Sequence, residues 1–200
     1  MGGTAGHGGG DPGEERWRFR TGSELPTRPA VADGTVYVGS EDGDLFAVDA
    51  TTGAGEWRFE AEDLVAFPTV AGGTVYAGSA DDHVYAVDAD SGDEEWSFET
   101  GAPLPAVADG TVFVGDEDGT LYALDARDGR ERWSFETGDE ITIVRASADG
   151  RVYAGSHDGH LYAVDAATGI EQWRLETRDG SVGSGTYSDG APARLAVGET

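Results

Sequence analysis

Apolar and polar residues follow one another in short runs along the chain, and one such run recurs four times. The copy at residues 161–173 contains an apolar strand, a polar turn and a tryptophan that opens a second strand. The other copies lie at residues 45–57, 84–96 and 121–133. Apolar runs of this length, bounded by Gly, Asp and Thr, are typical of β-strands joined by tight turns. The pattern predicts an all-β protein built from a repeat.

The tryptophans give the period of this repeat. They lie at positions 17, 57, 96, 133 and 173, so the steps are 40, 39, 37 and 40 residues. Trp17 follows Gly13 at the spacing seen in the copies, as the tail of a copy whose head is missing. A period near 40 residues with several short strands per unit is typical of a β-propeller.

Each unit predicts four strands joined by hairpins. Asp-Gly or Gly-Gly pairs, such as Asp33-Gly34, supply the positive φ that a two-residue hairpin turn needs. In the two middle strands, both alternating sets of residues are apolar, as in Leu161-Tyr162-Ala163-Val164. A sheet with one face in water alternates apolar with polar residues. The pattern therefore favours propeller blades, which are covered on both faces, over a β-sandwich.

The repeat divides the chain into one domain and a tail. Residues 15–200 are predicted to form a single β-propeller of four-stranded antiparallel blades, because stacked repeats share one core. Residues 1–14 are predicted to be a flexible, Gly-rich tail. Four complete units are predicted at 28–60, 67–99, 103–136 and 143–176. A strand at 16–20 and segments at 183–190 and 194–198 predict a composite fifth blade, and a closed ring predicts a monomer.

The net charge of the chain is −26, from 39 acidic and 13 basic residues, and every basic residue is Arg. The acidity is spread over all repeats, and the composition resembles that of proteins from extreme halophiles with a salt-rich cytoplasm. An ordinary acidic protein is the alternative. A nucleic-acid partner is excluded, because phosphate binding needs a basic face. The absence of Cys excludes disulfides and thiolate metal sites.

Targeting signals are absent from the sequence as written. No apolar run approaches the roughly 20 residues that a membrane-spanning helix needs. The first residues carry neither the basic region nor the apolar core of a signal peptide. A cytoplasmic location is therefore expected, with the cell surface as the alternative if the N-terminus is incomplete.

Five ordered positions recur in the repeats, with the pattern Ala-x-Asp-x-x-Thr-Gly-x-x-x-Trp. This pattern resembles the tryptophan-docking motif of the pyrroloquinoline-quinone (PQQ) repeat family, in which the Trp packs onto the turn of the neighbouring blade. Ser91 and Asp128 replace the Thr in the second and third copies. The motif residues are Ala47, Asp49, Thr52, Gly53 and Trp57; Ala86, Asp88, Ser91, Gly92 and Trp96; Ala123, Asp125, Asp128, Gly129 and Trp133; Ala163, Asp165, Thr168, Gly169 and Trp173; and the isolated Trp17.

The resemblance implies the structural scaffold of the protein, and it says little about any reaction that the protein catalyses. The family includes eight-bladed quinoprotein dehydrogenases and non-catalytic propellers such as the lipoprotein of the outer-membrane barrel-assembly machinery. This chain is too short for eight blades, lacks the adjacent cysteine pair of many such enzymes, and has no Asn for their calcium site. A non-catalytic scaffold that binds a protein or peptide is predicted, with no catalytic residue, metal or cofactor. The alternatives are a PQQ-dependent dehydrogenase or a fragment of one, and a sensory propeller module of a larger exported or signalling protein.

A candidate partner face follows from the predicted topology. In an antiparallel four-stranded blade, the second turn and the blade-to-blade connections share one face, and the first and third turns share the other. The connections vary between units, and variable loops on a rigid scaffold are the usual place for recognition. The alternative is a uniform acidic shell. The apolar residues expected to interrupt the acidity there are Leu25, Leu64, Val65, Leu104 and Ile141.

Overall fold

The computed structural model describes residues 15–25, 28–101, 103–147 and 149–177. These residues contain four antiparallel sheets, each built from four consecutive strands, which confirms the predicted all-β class and the four-stranded blades. Blades 1 and 2 consist of β1 (Ala30–Ala32), β2 (Thr35–Gly39), β3 (Asp44–Asp49) and β4 (Gly55–Glu60), and of β5 (Val65–Ala71), β6 (Thr74–Ser79), β7 (His83–Asp88) and β8 (Glu94–Glu99). Blades 3 and 4 consist of β9 (Leu104–Ala108), β10 (Thr111–Gly115), β11 (Thr120–Asp125) and β12 (Glu131–Glu136), and of β13 (Ile141–Ser147), β14 (Arg151–Ser156), β15 (His160–Asp165) and β16 (Glu171–Glu176).

The first strands of blades 2 and 4 begin two residues earlier than the predicted units. In each, the pairing register shifts near the start, between Ala66 and Thr69 in β5 and between Ile141 and Ile143 in β13. A bulge of this kind inserts extra residues and breaks the period-two alternation that marks a strand in sequence. The residues before the bulge still pair with the second strand of the blade, and the expectation that they belong to connections was wrong.

The cores lie between consecutive sheets. Leu45 and Val75 are fully buried between blades 1 and 2, and Val84 and Val112 between blades 2 and 3. Phe113 belongs to a third core between blades 3 and 4. A sheet between two such cores is covered on both faces. This explains why both alternating sets of side chains in the middle strands are apolar.

Each docking tryptophan joins one blade to the next. Trp57 Nε1 donates a hydrogen bond to the Ala89 carbonyl at 2.9 Å, and its ring lies over Gly92. Trp96 and Trp133 make the same contacts with blades 3 and 4. Because a buried indole N–H needs an acceptor, the pairing fixes the ring on the turn. This is the arrangement that the resemblance implies.

The N-terminal residues cover the face of blade 1 that points away from blade 2. Trp17 Nε1 donates to the Ala50 carbonyl at 2.9 Å, and the Phe19 ring meets Phe46 edge-on at 5.4 Å. Residues 16–20 do not form the predicted strand, because the described chain offers them no ladder partner. The predicted tail at 1–14 and the segments at 183–190 and 194–198 lie outside the described residues. The composite fifth blade therefore stays a prediction.

Gly92 is expected to tolerate no side chain. Its φ is +78°, and a Cβ built on it would lie 2.8 Å from Trp57 Cδ2. We expect Gly92→Ala to cost at least about 2 kcal/mol of unfolding free energy, from backbone strain plus displacement of the ring. The matched control is Gly72→Ala, where φ is +63° and a Cβ would meet nothing within 4 Å. Urea denaturation of both variants measures the difference, and equal losses would contradict the role given to the tryptophan contact.

Candidate functional site

Hydrogen bonds divide the turns of the blades between two faces. Second turns bond to the blade-to-blade connections, as where the Glu41 N–H donates to the Glu24 carbonyl and the Ala80 N–H donates to the Leu64 carbonyl. Third turns bond to first turns, as where the Ala50 N–H donates to the Gly34 carbonyl. We call the first surface the loop face and the second the turn face. The topology argued from sequence placed these turns in the same two groups.

On the turn face, the recurring aspartates hold the third turn in place. The Asp49 carboxylate accepts hydrogen bonds from the Thr52 N–H at 2.6 Å and the Thr52 hydroxyl at 2.7 Å. These bonds favour the ionised form and lower the pKa of Asp49. The hydrogen bonds of Asp165 with Thr168 lower its pKa for the same reason. Carboxylates held ionised by their own turn are poor candidates for general bases.

The other two repeats vary this arrangement. Asp88 accepts from the Ser91 N–H at 2.8 Å, and its pKa is again lowered. Asp125 accepts instead from the Arg132 guanidinium at 2.7 Å, which lowers the pKa of Asp125. Asp128, at the position of the Thr, accepts from the Arg130 N–H within its own turn. The substitutions therefore keep the turn while changing its donors.

On the loop face, two second-turn aspartates hold the preceding connections. Asp158 accepts hydrogen bonds from the Gly138 N–H at 2.8 Å and the Tyr162 hydroxyl at 2.5 Å. Burial and the bond to Asp158 together raise the pKa of Tyr162 to about 12. Burial alone would raise the pKa of Asp158, but the hydrogen bonds outweigh it and the pKa is lowered. Asp81 accepts from the Glu62 N–H and the Tyr85 hydroxyl in the same way.

The histidine turn of blade 4 belongs to this structural network. His157 Nδ1 lies 3.0 Å from Glu140 Oε2, and His160 Nδ1 lies 3.2 Å from Asp158 Oδ1. Within the described ranges, no group of three His, Asp or Glu side chains is placed to hold a metal ion. The arrangement orders the connection after blade 3.

The structure separates the five apolar residues that were expected on the partner face. Leu25 is 49% exposed and Leu64 is half-buried, both on connections. Val65 and Ile141 are only 1% exposed, so placing them on a contact surface was wrong. They precede the strand bulges and pack against the glycines that end the second strands of neighbouring blades. The backbone of Leu104 pairs with Gly115 in β10, as part of a strand.

A pocket that the sequence did not predict lies where the first strands of the blades meet. Strands β1, β5, β9 and β13 contact one another in turn, and all four blades line a shallow, open pocket of about 330 Å³. We call it the axial pocket. Its lining residues are Arg28, Pro29, Phe67, Pro68, Thr69, Pro105, Ala106, Val107, Arg145 and Ala146.

When the four units are aligned on their first turns, several lining residues fall at the same position of the repeat. Pro29, Pro68, Pro105 and Arg145 each lie four residues before the first residue of that turn, so one register position carries Pro in three blades and Arg in the fourth. A first strand is the edge of its sheet, where Pro is tolerated because one row of backbone N–H groups has no ladder partner. This alignment is the signal from which the pocket could have been found in the sequence.

The described residues include no helix with the length and apolar character needed to cross a bilayer. Comparison with curated protein sequences finds no match.

Solved structures with the same fold include natural and computationally designed proteins. BamB from Moraxella catarrhalis superposes with a TM-score of 0.69 at 24% identity, over 80% of this chain and 55% of that one. This chain thus spans about half the length of that protein. Quinohemoprotein alcohol dehydrogenase from Comamonas testosteroni gives 0.66 at 20% identity, over 77% and 35% of the two chains. The computationally designed Ika4 protein gives 0.70 at 23% identity, over 76% and 97%.

One family model covers almost the whole sequence. The PQQ-like repeat model described as "Outer membrane protein assembly factor BamB" matches residues 10–104 and 98–200. The two matches include all four described blades and each of their docking tryptophans. The chain therefore belongs to this family of PQQ-like repeat β-propellers.

Proposed function

We propose that this protein is a non-catalytic scaffold whose loop face binds a partner protein. The observation that carries the proposal is the contrast between the two faces. The turn face repeats one hydrogen-bonded motif in every blade, whereas the loop face differs in each connection. Variation on a rigid frame favours recognition at the varied face.

Two apolar residues of the loop face, the exposed Leu25 and the half-buried Leu64, support the same proposal. Leu25 is flanked by the exposed Glu24, and Leu64 follows the exposed Glu62 and Asp63. An apolar contact within a charged rim is the usual anatomy of a protein interface. The acidic rim would favour cationic groups on the part of the partner that contacts the rim.

The acidity of the chain motivates a second proposal, that it works in a salt-rich compartment. At about 1 M salt the Debye length is only about 3 Å, so long-range steering by the rim is small. The apolar contacts would then supply most of the affinity. The cytoplasm of a halophile is the location most consistent with the charge.

The dehydrogenase alternative predicts a cofactor-dependent activity. A quinone enzyme supplied with PQQ and calcium should gain a quinone absorbance and reduce a dye in the presence of an alcohol or a sugar. We expect neither change. Dye reduction that depends on both additions would contradict the non-catalytic assignment.

The binding face is tested by capture of partners from a salt-matched extract. We expect the joint change Leu25→Asp and Leu64→Asp to lose a partner that the unchanged chain retains. The matched control is Thr51→Asp with Ala167→Asp on the turn face, at a position where blade 2 already carries the exposed Asp90. Equal loss in both pairs, or loss in neither, would contradict the assignment of the loop face.

A further inference from the structure

The axial pocket is opposite in charge to the rest of the molecule. The chain carries 39 acidic residues and 13 arginines, yet the pocket is lined by two arginines and by no Asp or Glu of the described residues. Arg28 lies just before β1 and Arg145 lies on β13, so the first and last described blades each supply one. The charge of this lining is therefore opposite in sign to the net charge of the chain.

Both arginines have donors available for a ligand. Arg145 Nη1 donates to the Val144 carbonyl at 2.8 Å, which uses one of the five N–H donors of a guanidinium. Neither Arg28 nor Arg145 forms an ion pair with a carboxylate in the described part of the chain, and both are exposed. Among the other arginines of the described ranges, Arg16, Arg20 and Arg127 also form no such ion pair, and six are paired with acidic side chains: Arg18, Arg58, Arg130, Arg132, Arg151 and Arg174.

The neighbouring wall is apolar and poor in donors. Pro29, Pro68 and Pro105 have no backbone N–H, so Arg145 supplies the donors at their shared register position. Phe67 is 49% exposed beside them, and Val107 adds a further apolar contact. A ligand that fits this wall combines a carboxylate with an apolar group.

The exposure of the lining favours a polypeptide segment over an enclosed small molecule. Sites for small molecules bury about 70–90% of the ligand surface. Here Phe67 and both arginines remain open to solvent, so a ligand would be covered on one side only. An extended segment that lies across the pocket needs no further enclosure.

We propose that the axial pocket binds an acidic segment of the partner protein, with a carboxylate held by Arg28 and Arg145 and an apolar side chain against Phe67 and the prolines. The inference rests on the proposed function and adds the chemistry of the partner. Arginine suits this role because its planar donors bind a carboxylate through paired, short hydrogen bonds. At high salt such short-range bonds persist while the repulsion from the acidic body is screened.

The test uses the full chain and a fluorescent peptide that contains two glutamates and one phenylalanine. Anisotropy at about 1 M KCl measures its affinity. We expect Arg28→Gln and Arg145→Gln each to weaken binding about tenfold, and the peptide with Gln in place of Glu to bind at least tenfold more weakly. The control Arg130→Gln removes the same charge from an arginine that is 85% exposed and paired with Asp128, and it should leave the affinity unchanged.

Unchanged affinity in the double variant, or an equal loss in Arg130→Gln, would overturn the proposal. Citrate serves as the competing small anion. If citrate alone binds at least as tightly as the peptide, the pocket is a small-anion site and the peptide assignment is wrong. If the loop-face variants lose the partner but the arginine double variant retains it at full affinity, this inference fails and the proposed function stands. If the loop-face variants lose nothing, the proposed function itself fails.

Discussion

Trp96→Ala is expected to cost about 3–5 kcal/mol of unfolding free energy, the range for truncating a buried aromatic side chain. Trp96 is only 7% exposed, lies over Gly129 and donates from Nε1 to the Ala126 carbonyl at 3.1 Å. Its loss opens a cavity between blades 2 and 3 and removes one of the two donors to that carbonyl, the other being the Tyr76 hydroxyl. Urea denaturation at about 1 M KCl, followed by circular dichroism, measures the change.

Two further substitutions serve as comparisons for Trp96→Ala. Val31→Ala, at a position 67% exposed, should change stability by less than about 0.5 kcal/mol. Trp173 is the equivalent of Trp96 in blade 4 and is 42% exposed over the described residues. If the segments at 183–190 and 194–198 complete the predicted fifth blade together with residues 16–20, Trp173→Ala should cost as much as Trp96→Ala. A loss below about 1 kcal/mol at Trp173 would contradict that blade.

The second large effect is expected from salt. With a net charge of −26, the compact state is opposed by its own repulsion. The repulsion between charges extends over about 10 Å at 0.1 M salt but over only about 3 Å at 1 M, because the added ions screen it. We therefore expect the fold to loosen or unfold below a few tenths molar KCl and to form near molar KCl. Circular dichroism and tryptophan fluorescence across a KCl titration measure this transition.

Sucrose separates screening from a general effect of solutes. It favours compact states because it is excluded from protein surfaces, but it does not screen charge. If sucrose restores the fold at low salt as well as KCl does, repulsion is not the cause. A cooperative melt that is unchanged in low-salt buffer would also contradict the adaptation to salt.

The blades could be predicted well from the sequence, because recurring turn residues mark where each strand begins and ends. Turns with Gly at positive φ recur at fixed spacing, and both Gly34 and Gly73 adopt that conformation. The buried second and third strands carry apolar residues on both faces, as a covered sheet requires. The first strands were harder to place, because the bulges after Ala66 and Ile141 hide their beginnings.

The candidate site was predicted less well, because burial on loops depends on neighbouring blades. Val65 and Ile141 looked like exposed connection residues, yet each packs against a glycine of the preceding blade, Gly39 and Gly115 respectively. The axial pocket is assembled from two or three residues of each blade, and these short segments are separated by about 40 residues. No single stretch of sequence carries that pattern, and only alignment of the units reveals Pro in three blades and Arg145 in the fourth.

The central claim, that the loop face is the binding face, is tested most directly by site-specific photocrosslinking. A photoreactive amino acid is placed at Leu64 on the loop face and, in a second variant, at Ala167 on the turn face. Both variants are irradiated with the captured partner at high salt, and crosslinked products are identified by mass spectrometry. The account predicts crosslinks from position 64 and none above background from position 167. Equal crosslinking from both positions, or crosslinks from position 167 alone, would contradict it.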